Sequence, residues 1–146
     1  MNIAFFLLPK LEVIHLTLQT TLRQTLEKME YHRYTAVPIL NEDGTYVGTV
    51  TEGDLLWFFK NNKDFTFENA NRHTLAEIPL NKNNQPVRID ANMDDLISLA
   101  KVQNFVPVVD DMDKFIGIVR RSDVIEYCSD KIFNNVQANR EVNSTG

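Results

Sequence analysis

Two short segments separated by 69 residues carry side chains suited to binding a charged, hydroxylated small molecule. The first is Thr51-Glu52-Gly53-Asp54, which places a hydroxyl and a carboxylate one turn apart where a strand gives way to a helix. Free backbone N–H groups and the helix dipole attract anions at such a junction. Asp54 can accept hydrogen bonds from two ribose hydroxyls, and Thr51 can donate one to a phosphate oxygen. The segment therefore has the groups that a nucleotide requires.

The same segment also fits a purely structural role. Thr51 can be the N-cap of the following helix and Asp54 its first-turn acid, a capping-box variant with Asp in place of Glu. In the second segment, Arg120-Arg121-Ser122-Asp123, the equivalent acid is Asp123, whereas the cap position holds Arg120, a poor cap. Keeping the acid without the cap favours binding, but Ser122 can cap a helix that starts two residues later, so both interpretations stay open.

Arg120 and Arg121 stand out in an acidic chain. Guanidinium groups at a strand-to-helix junction can bind phosphate in bidentate fashion. Alternatively the pair is solvated, or forms ion pairs with the carboxylates of the turn at 110–113. If Arg120 faces a ligand, it favours one with more negative charge than a nucleoside.

Both segments belong to an internal repeat. A shift of 69 residues places Val37-Pro38-Ile39-Leu40 on Val106-Pro107-Val108-Val109, and 46–50 on 115–119 without a gap. It also places Asp54-Leu55-Leu56 on Asp123-Val124-Ile125. Chance rarely aligns Pro, Gly and Asp in register with apolar residues between them, so the chain is predicted to contain two similar units.

The hydrophobic pattern of each unit predicts the element order β-α-β-β-α, which corresponds to an α/β (α+β) fold. Apolar runs and helical spacing predict strands at 12–16, 36–40 and 46–51 and helices at 20–31 and 53–60 in the first unit. In the second they predict strands at 87–89, 106–109 and 115–119 and helices at 92–103 and 122–133.

The composition and the residue types argue against several classes of function. The 146 residues are 43% hydrophobic, enough for a compact core, and the net charge of −5 disfavours nucleic acid binding. A single cysteine, Cys128, fits a cytoplasmic protein, and the apolar stretch at 1–8 is too short to span a membrane. His15, His32 and His73 lack partners at ligand spacing, so no metal site is expected. The motifs contain no nucleophile–base pair, which argues against an enzyme.

Each unit resembles a cystathionine-β-synthase (CBS) domain. The pattern of that family is an apolar-Pro-apolar-apolar-Asp/Asn strand, a turn, and Gly-x-apolar-Thr/Ser-x-x-Asp. Val37–Asn41 with Gly48–Asp54 matches it fully, whereas Val106–Asp110 with Gly117–Asp123 departs from it at Arg120. The resemblance covers residues 9–133.

The resemblance implies two units packed around a pseudo-two-fold axis, with two clefts that can hold adenine nucleotides. The expected domains are 1–62, including the apolar N-terminal segment, and 85–133. Residues 63–84 form a linker packed on the body, and 134–146 are expected to be disordered. Many members dimerise, and Trp57, with Phe58 and Phe59 beside it on one helix, independently favours a homodimer.

The resemblance also implies that Tyr34-Thr35-Ala36, and Asn104-Phe105 in the second unit, line the adenine pockets, and that Lys10 lies on the phosphate side. Tyr34 and Phe105 can stack on a purine or belong to the core, and Lys10 can simply be exposed. The residues assigned to nucleotide binding are Lys10, Tyr34, Thr35, Ala36, Pro38, Thr51, Asp54, Asn104, Phe105, Pro107, Arg120, Arg121 and Asp123.

The expected function is a stand-alone regulatory CBS pair. It would bind AMP, ADP, ATP or cyclic di-AMP as a regulatory ligand, without metal, and pass the signal to a partner protein. The alternative is a ligand-free adaptor that binds a protein constitutively through its aromatic surface.

Overall fold

The computed structural model describes residues 2–80 and 84–145, with side chains through residue 143. Within these ranges it contains two small β-sheets flanked by helices. The strands are β1 (Leu8–Pro9), β2 (Leu16–Thr17), β3 (Ala36–Leu40), β4 (Tyr46–Thr51), β5 (Val87–Arg88), β6 (Phe105–Val109) and β7 (Phe115–Arg120). The helices are α1 (Leu22–His32), α2 (Glu52–Asn61), α3 (Met93–Ala100) and α4 (Arg121–Thr145).

The first unit is built on the β3–β4 hairpin. The strands are antiparallel from Ala36 opposite Thr51 to Leu40 opposite Tyr46, and β2 adds in parallel beside β3. Gly44 adopts a left-handed φ of +88° in the turn, which a glycine reaches without steric cost. Residues 37–40 are buried throughout because helices α1 and α2 and the second unit cover β3.

The second unit repeats this register. β6 and β7 pair from Phe105 opposite Arg120 to Val109 opposite Phe115, each position 69 residues beyond its counterpart in the first hairpin. Both hairpins have an irregularity before the last residue of the first strand. The predicted fold class and the repeat are therefore confirmed.

The expected domain 1–62 places the apolar N-terminal segment with the first unit, whereas the strand in this segment pairs with the second unit. β1 pairs antiparallel with β7, so that Leu8 lies opposite Ile118 and Pro9 opposite Gly117. Ile3 is fully buried in the core of the second unit. The physical reason is Gly117: a Cβ atom there would lie only 2.2 Å from the Leu8 carbonyl oxygen, so the absent side chain makes room for β1. The predicted strand at 12–16 is likewise shifted, since β2 covers only Leu16–Thr17.

The two units meet at equivalent positions. Thr45 forms an isolated antiparallel bridge with Lys114, its counterpart 69 residues later, and the Phe115 N–H donates to the Gly44 carbonyl at 2.9 Å. A shared apolar cluster lies between the sheets and contains Leu40, Phe115 and Ile118. A contact between a residue and its own counterpart marks the pseudo-two-fold axis.

The linker and the tail behave differently. Ala70, Leu75 and Ile78 are buried against the first unit, and Thr74 bridges to Thr21. The tail expected to be disordered at 134–146 is instead helical through Thr145, because α4 contains no Gly or Pro to end it after Ser122. Residues 131–143 are all exposed, so this helix extends beyond the body of the protein.

Candidate functional site

A cleft of about 320 Å³ lies between the two units, at the N-terminal ends of β3 and β6. Both units contribute to it, and its walls are mostly apolar. Seven of the thirteen predicted residues line it: Tyr34, Thr35, Ala36, Pro38, Asn104, Phe105 and Arg120. The other lining residues are Leu8, Glu12, Val13, Ile14, Arg33 and Ile118.

The end of helix α1 positions Tyr34 at the mouth of this cleft. Arg33 adopts a left-handed φ of +58° and ends the helix, and the Tyr34 N–H donates to the Met29 carbonyl at 3.0 Å. The Tyr34 side chain is 41% exposed and stacks on His32, with ring centroids 5.2 Å apart and planes 10° apart. A ring that is held in place by a neighbour on one face can stack on a flat base with its other face.

The floor of the cleft is fixed where the two units touch. The Asn104 Nδ2 donates to the Thr35 Oγ1 at 3.2 Å, and the backbone N–H of Glu52 donates to the Thr35 carbonyl. The N–H of Arg121 bonds to the Asn104 carbonyl in the same way. The residue before β3 and the residue before β6 are thus each hydrogen-bonded to the first turn of the following helix in their own unit, and also to each other.

Arg120 is one of three charged residues that line the cleft. Its Nε donates to the Asp123 Oδ2 at 2.9 Å, and its Nη2 donates to Oδ1 at 3.4 Å. The guanidinium is more than half exposed, so it can turn toward a ligand phosphate. Arg120 and Asp123 also line a neighbouring depression of about 420 Å³ beside α4, so Asp123 adjoins the cleft through Arg120. Of the two other charged lining residues, Arg33 is basic and Glu12 acidic.

Thr51 and Asp54 form the capping box that the sequence suggested. The Asp54 N–H donates to the Thr51 Oγ1 at 3.1 Å, and the Thr51 N–H donates to the Asp54 Oδ2 at 2.9 Å. Both side chains therefore stabilise the start of α2. Neither is among the residues that line the cleft beside Arg120.

Three further predicted residues also lie outside that cleft. A Cβ atom placed on Gly44 would lie 3.8 Å from the Lys10 Nζ, so Lys10 reaches the β3–β4 turn instead. The Arg121 Nε donates to the carbonyls of Ala100 and Gln103 at 3.0 and 2.8 Å, which satisfies the C-terminal end of α3. Pro107 is buried in β6, opposite Ile118. Binding roles for these residues, and for Thr51 and Asp54, stay predictions.

Several residues that line the cleft were not predicted from the sequence. Arg33 directly precedes Tyr34, and Ile118 directly follows the motif residue Gly117, so neighbourhood alone could have suggested both. Glu12, Val13 and Ile14 reach the cleft only because β2 adds beside β3, a tertiary arrangement that short-range patterns do not specify.

On the other side of the axis the chain is tightly hydrogen-bonded. The Tyr46 hydroxyl donates to the Asn84 carbonyl at 3.2 Å and shares a hydrogen bond of 2.7 Å with the Thr49 hydroxyl. Burial raises the pKa of Tyr46 to about 12, although the hydrogen bond with Thr49 acts to lower it.

Residues 2–80 and 84–145 contain no group of three His, Cys, Asp or Glu side chains placed to hold a metal ion. His15 bonds to the Val13 carbonyl, His32 stacks on Tyr34, and His73 pairs with Glu77 at 3.1 Å. Over the same ranges, no helix has the length and apolarity needed to span a bilayer.

Comparison with known proteins supplies the family. The family model described as "CBS domain" matches twice, at residues 8–61 and 75–130. A curated relative, the uncharacterised protein MJ1225 of Methanocaldococcus jannaschii, is 28% identical over an alignment of 132 residues that covers 80% of this chain. The chain spans only 45% of the length of that relative.

Solved structures share the fold. CbpB in complex with cyclic di-AMP superimposes with a TM-score of 0.80 at 17% identity, covering 94% of this chain and 91% of that one. CbpB of Listeria monocytogenes, also with cyclic di-AMP, gives 0.75 at 20% identity, covering 89% and 96%. CBSX2 in complex with AMP gives 0.70 at 23% identity, covering 88% and 96%.

Proposed function

We propose, from the premise that this chain belongs to the CBS domain family, that it is a regulatory module binding an adenine nucleotide beside Tyr34 and Arg120. The observation that carries the proposal is the cleft itself, in which both units meet around an apolar space with a guanidinium at its edge. Its volume of about 320 Å³ lies within the range of small-molecule sites.

The lining divides into a part suited to a base and a part suited to phosphate. Tyr34, Pro38, Phe105 and Ile118 offer apolar and aromatic surface to a flat ring. Arg120 supplies a planar fork of donors that matches phosphate oxygens. In this proposal Asp123, brought next to the cleft by Arg120, accepts from ribose hydroxyls once phosphate has drawn the guanidinium away.

The structural neighbours support this class of ligand. Two CbpB structures contain cyclic di-AMP and the CBSX2 structure contains AMP. The candidates for this chain are therefore AMP, ADP, ATP and cyclic di-AMP. The role is binding rather than catalysis. A cytoplasmic location stays a prediction based on the single Cys128.

Exposed apolar helix faces support a homodimer or a protein partner. Leu56 on α2 and Ile125 on α4 occupy equivalent positions and are 60% and 58% exposed. Each lies at a groove between the two helices of its unit, of about 620 Å³ in the first and 490 Å³ in the second. We propose that these faces bury each other in a homodimer whose geometry responds to the nucleotide. Such a switch requires the ligand to bind one arrangement better than the other.

Calorimetric titration with AMP, ADP, ATP and cyclic di-AMP tests the proposal. We expect at least one to bind, and Arg120→Ala to weaken that binding at least tenfold. Arg88→Ala is the matched control, because Arg88 is an exposed arginine of the same unit that does not line the cleft. Absence of binding by all four at millimolar concentration would refute the proposal and leave the adaptor alternative, in which the apolar faces bind a protein constitutively.

A further inference from the structure

The cleft lined by Tyr34 and Arg120, called the open cleft below, has a counterpart on the other side of the pseudo-two-fold axis. At this second cleft the equivalent positions of the repeat carry different residues. The repeat places Gln103 at the position of Tyr34 and Thr51 at the position of Arg120. The pairing of β2 with β3 and of β5 with β6 places Gln85 at the position of Ile14, which lines the open cleft. The second cleft is therefore bordered by Gln85 and Gln103.

The Gln103 side chain turns inward, unlike its counterpart. It is only 2% exposed, whereas Tyr34 is 41% exposed. Its Oε1 accepts from the Gln85 N–H at 2.8 Å, and its Nε2 donates to the Gln85 carbonyl at 3.0 Å and the Phe105 carbonyl at 3.2 Å. The amide thus pairs with both backbone polar groups of Gln85 and links that residue to Phe105 at the start of β6, on the wall that the second unit contributes.

This pairing has the pattern by which backbone would bind adenine. A donor and an acceptor side by side on the adenine edge complement one backbone N–H and one C=O, and a glutamine amide presents the same pair of groups. At Gln85 these two backbone groups are already bonded to the Gln103 amide. An entering base would have to break these buried bonds, and a lost buried hydrogen bond is costly.

A second set of contacts holds the same segment in place. The Tyr46 hydroxyl is bonded to the Asn84 carbonyl and to Thr49, the counterpart of Ile118 in the open cleft. Just beyond, Thr51 and Asp54 are engaged in their capping box. The polar side chains that border this cleft are therefore engaged with backbone groups or with one another.

We propose that Gln103 is an internal occupant of the second cleft, in the place of an adenine base. Each chain then binds one nucleotide, in the cleft of Tyr34 and Arg120. This inference rests on the proposed function for its first site, but it concerns a different side chain and can fail separately.

Equilibrium dialysis with radiolabelled AMP, and in a parallel series with cyclic di-AMP, counts the sites. We expect one site per chain in the wild type and two in Gln103→Ala, which removes the amide that pairs with the backbone of Gln85. Adding Arg120→Ala to Gln103→Ala should weaken the first site at least tenfold and leave the affinity of the second unchanged. Two sites in the wild type, or one in Gln103→Ala, would overturn the inference while leaving the proposed function intact.

The wild type offers a test that does not depend on a variant folding. With ¹⁵N-labelled protein at nucleotide saturation, the side-chain amide of Gln103 should keep its resonance position, while the backbone amides of Tyr34 and Arg120 shift. A displaced Gln103 resonance would contradict the inference. If the wild type binds neither nucleotide, the proposed function fails. In that case, one new site in Gln103→Ala would still support the internal occupant, and no site would overturn it as well.

Discussion

The Asn104 Nδ2 donates a hydrogen bond to the Thr35 Oγ1 across 3.2 Å, and the two residues occupy the same position in the two halves of the repeat. Thr45 and Lys114, bridged at the other end of the hairpins, are also counterparts. The units are therefore held together at two points on their symmetry axis. The open cleft lies beside the first of these points.

The bond between Asn104 and Thr35 gives a first prediction. Asn104→Ala should lower the free energy of unfolding by about 1 kcal/mol, the usual net value of one hydrogen bond. Nucleotide affinity should fall several-fold as well, because the bond fixes the distance between the two walls of the cleft. Urea unfolding and calorimetry measure the two effects. Asn134→Ala, on the exposed part of α4, is the control and should change neither. Loss of stability with unchanged affinity would show that the bond does not shape the cleft.

The hairpins could be predicted from sequence because the residues that specify them lie close together in the chain and occur once in each unit. Pro38 and Pro107, or Gly48 and Gly117, align only if both units use the same turns and register. The position of β1 could not be predicted in this way. Its two residues carry little pattern, and their pairing depends on the space above Gly117.

The residues of the two clefts could likewise be predicted only in part. Arg120 was identifiable because it departs from its own repeat, and the structure places it in the cleft. Gln103 gave no such signal, since an isolated glutamine reads as a surface residue until its partners are known. The helical tail differs for another reason: a low apolar content predicts little burial, but it does not exclude a helix.

Charge discrimination at Arg120 gives a second prediction. Arg120→Ala should weaken AMP binding about tenfold or more, equivalent to about 1.4 kcal/mol, but adenosine binding less than threefold. The reason is that the guanidinium can meet only the phosphate, while the apolar walls meet the base. Competition titrations with the two ligands measure the ratio. An equal loss for both ligands would place Arg120 in a structural role through Asp123.

The capping box gives a third prediction. Thr51→Ala should lower the free energy of unfolding by about 1 kcal/mol, because the Asp54 N–H loses its acceptor at the start of α2. Thr21→Ala is the matched control, since Thr21 forms the same box with Gln24 at the start of α1. Thermal unfolding with and without saturating AMP should give the same difference between the two variants. A larger loss for Thr51→Ala in the presence of AMP would assign Thr51 a ligand contact.

The buried hydroxyl of Tyr46 gives a fourth prediction, on pH. The pKa of Tyr46 is about 12 in the folded chain, against about 10 in the unfolded chain. Below pH 10 the hydroxyl is protonated in both states and its contribution to stability is complete. Between pH 10 and 12 the unfolded chain releases the proton first, so stability falls as the pH rises.

Comparison with Tyr46→Phe isolates this effect from other titrating groups. From pH 9 to pH 11.5, the stability of the wild type relative to Tyr46→Phe should fall by about 2 kcal/mol in urea unfolding. A constant difference would mean that Tyr46 ionises as freely in the folded chain as in the unfolded one.

The passage of β1 over Gly117 gives the last prediction. A Cβ atom on Gly117 would lie 2.2 Å from the Leu8 carbonyl oxygen, and the backbone there has a φ of +155°. Gly117→Ala should therefore cost about 3 kcal/mol of stability and detach β1, since backbone cannot move aside as a side chain can. Gly48→Ala is the matched control at the equivalent position, where the new methyl would meet only the flexible end of Leu80 at 3.2 Å.

Urea unfolding and amide hydrogen exchange distinguish the two variants. Gly48→Ala should change stability by less than about 1 kcal/mol, because rotation of Leu80 relieves the contact. In Gly117→Ala alone, the amide of Leu7, which donates to the Ala4 carbonyl at 3.3 Å, should exchange faster, because this segment stays docked on the second core only while β1 is paired with β7. Similar stability and similar exchange in the two variants would show that β1 is not held against Gly117.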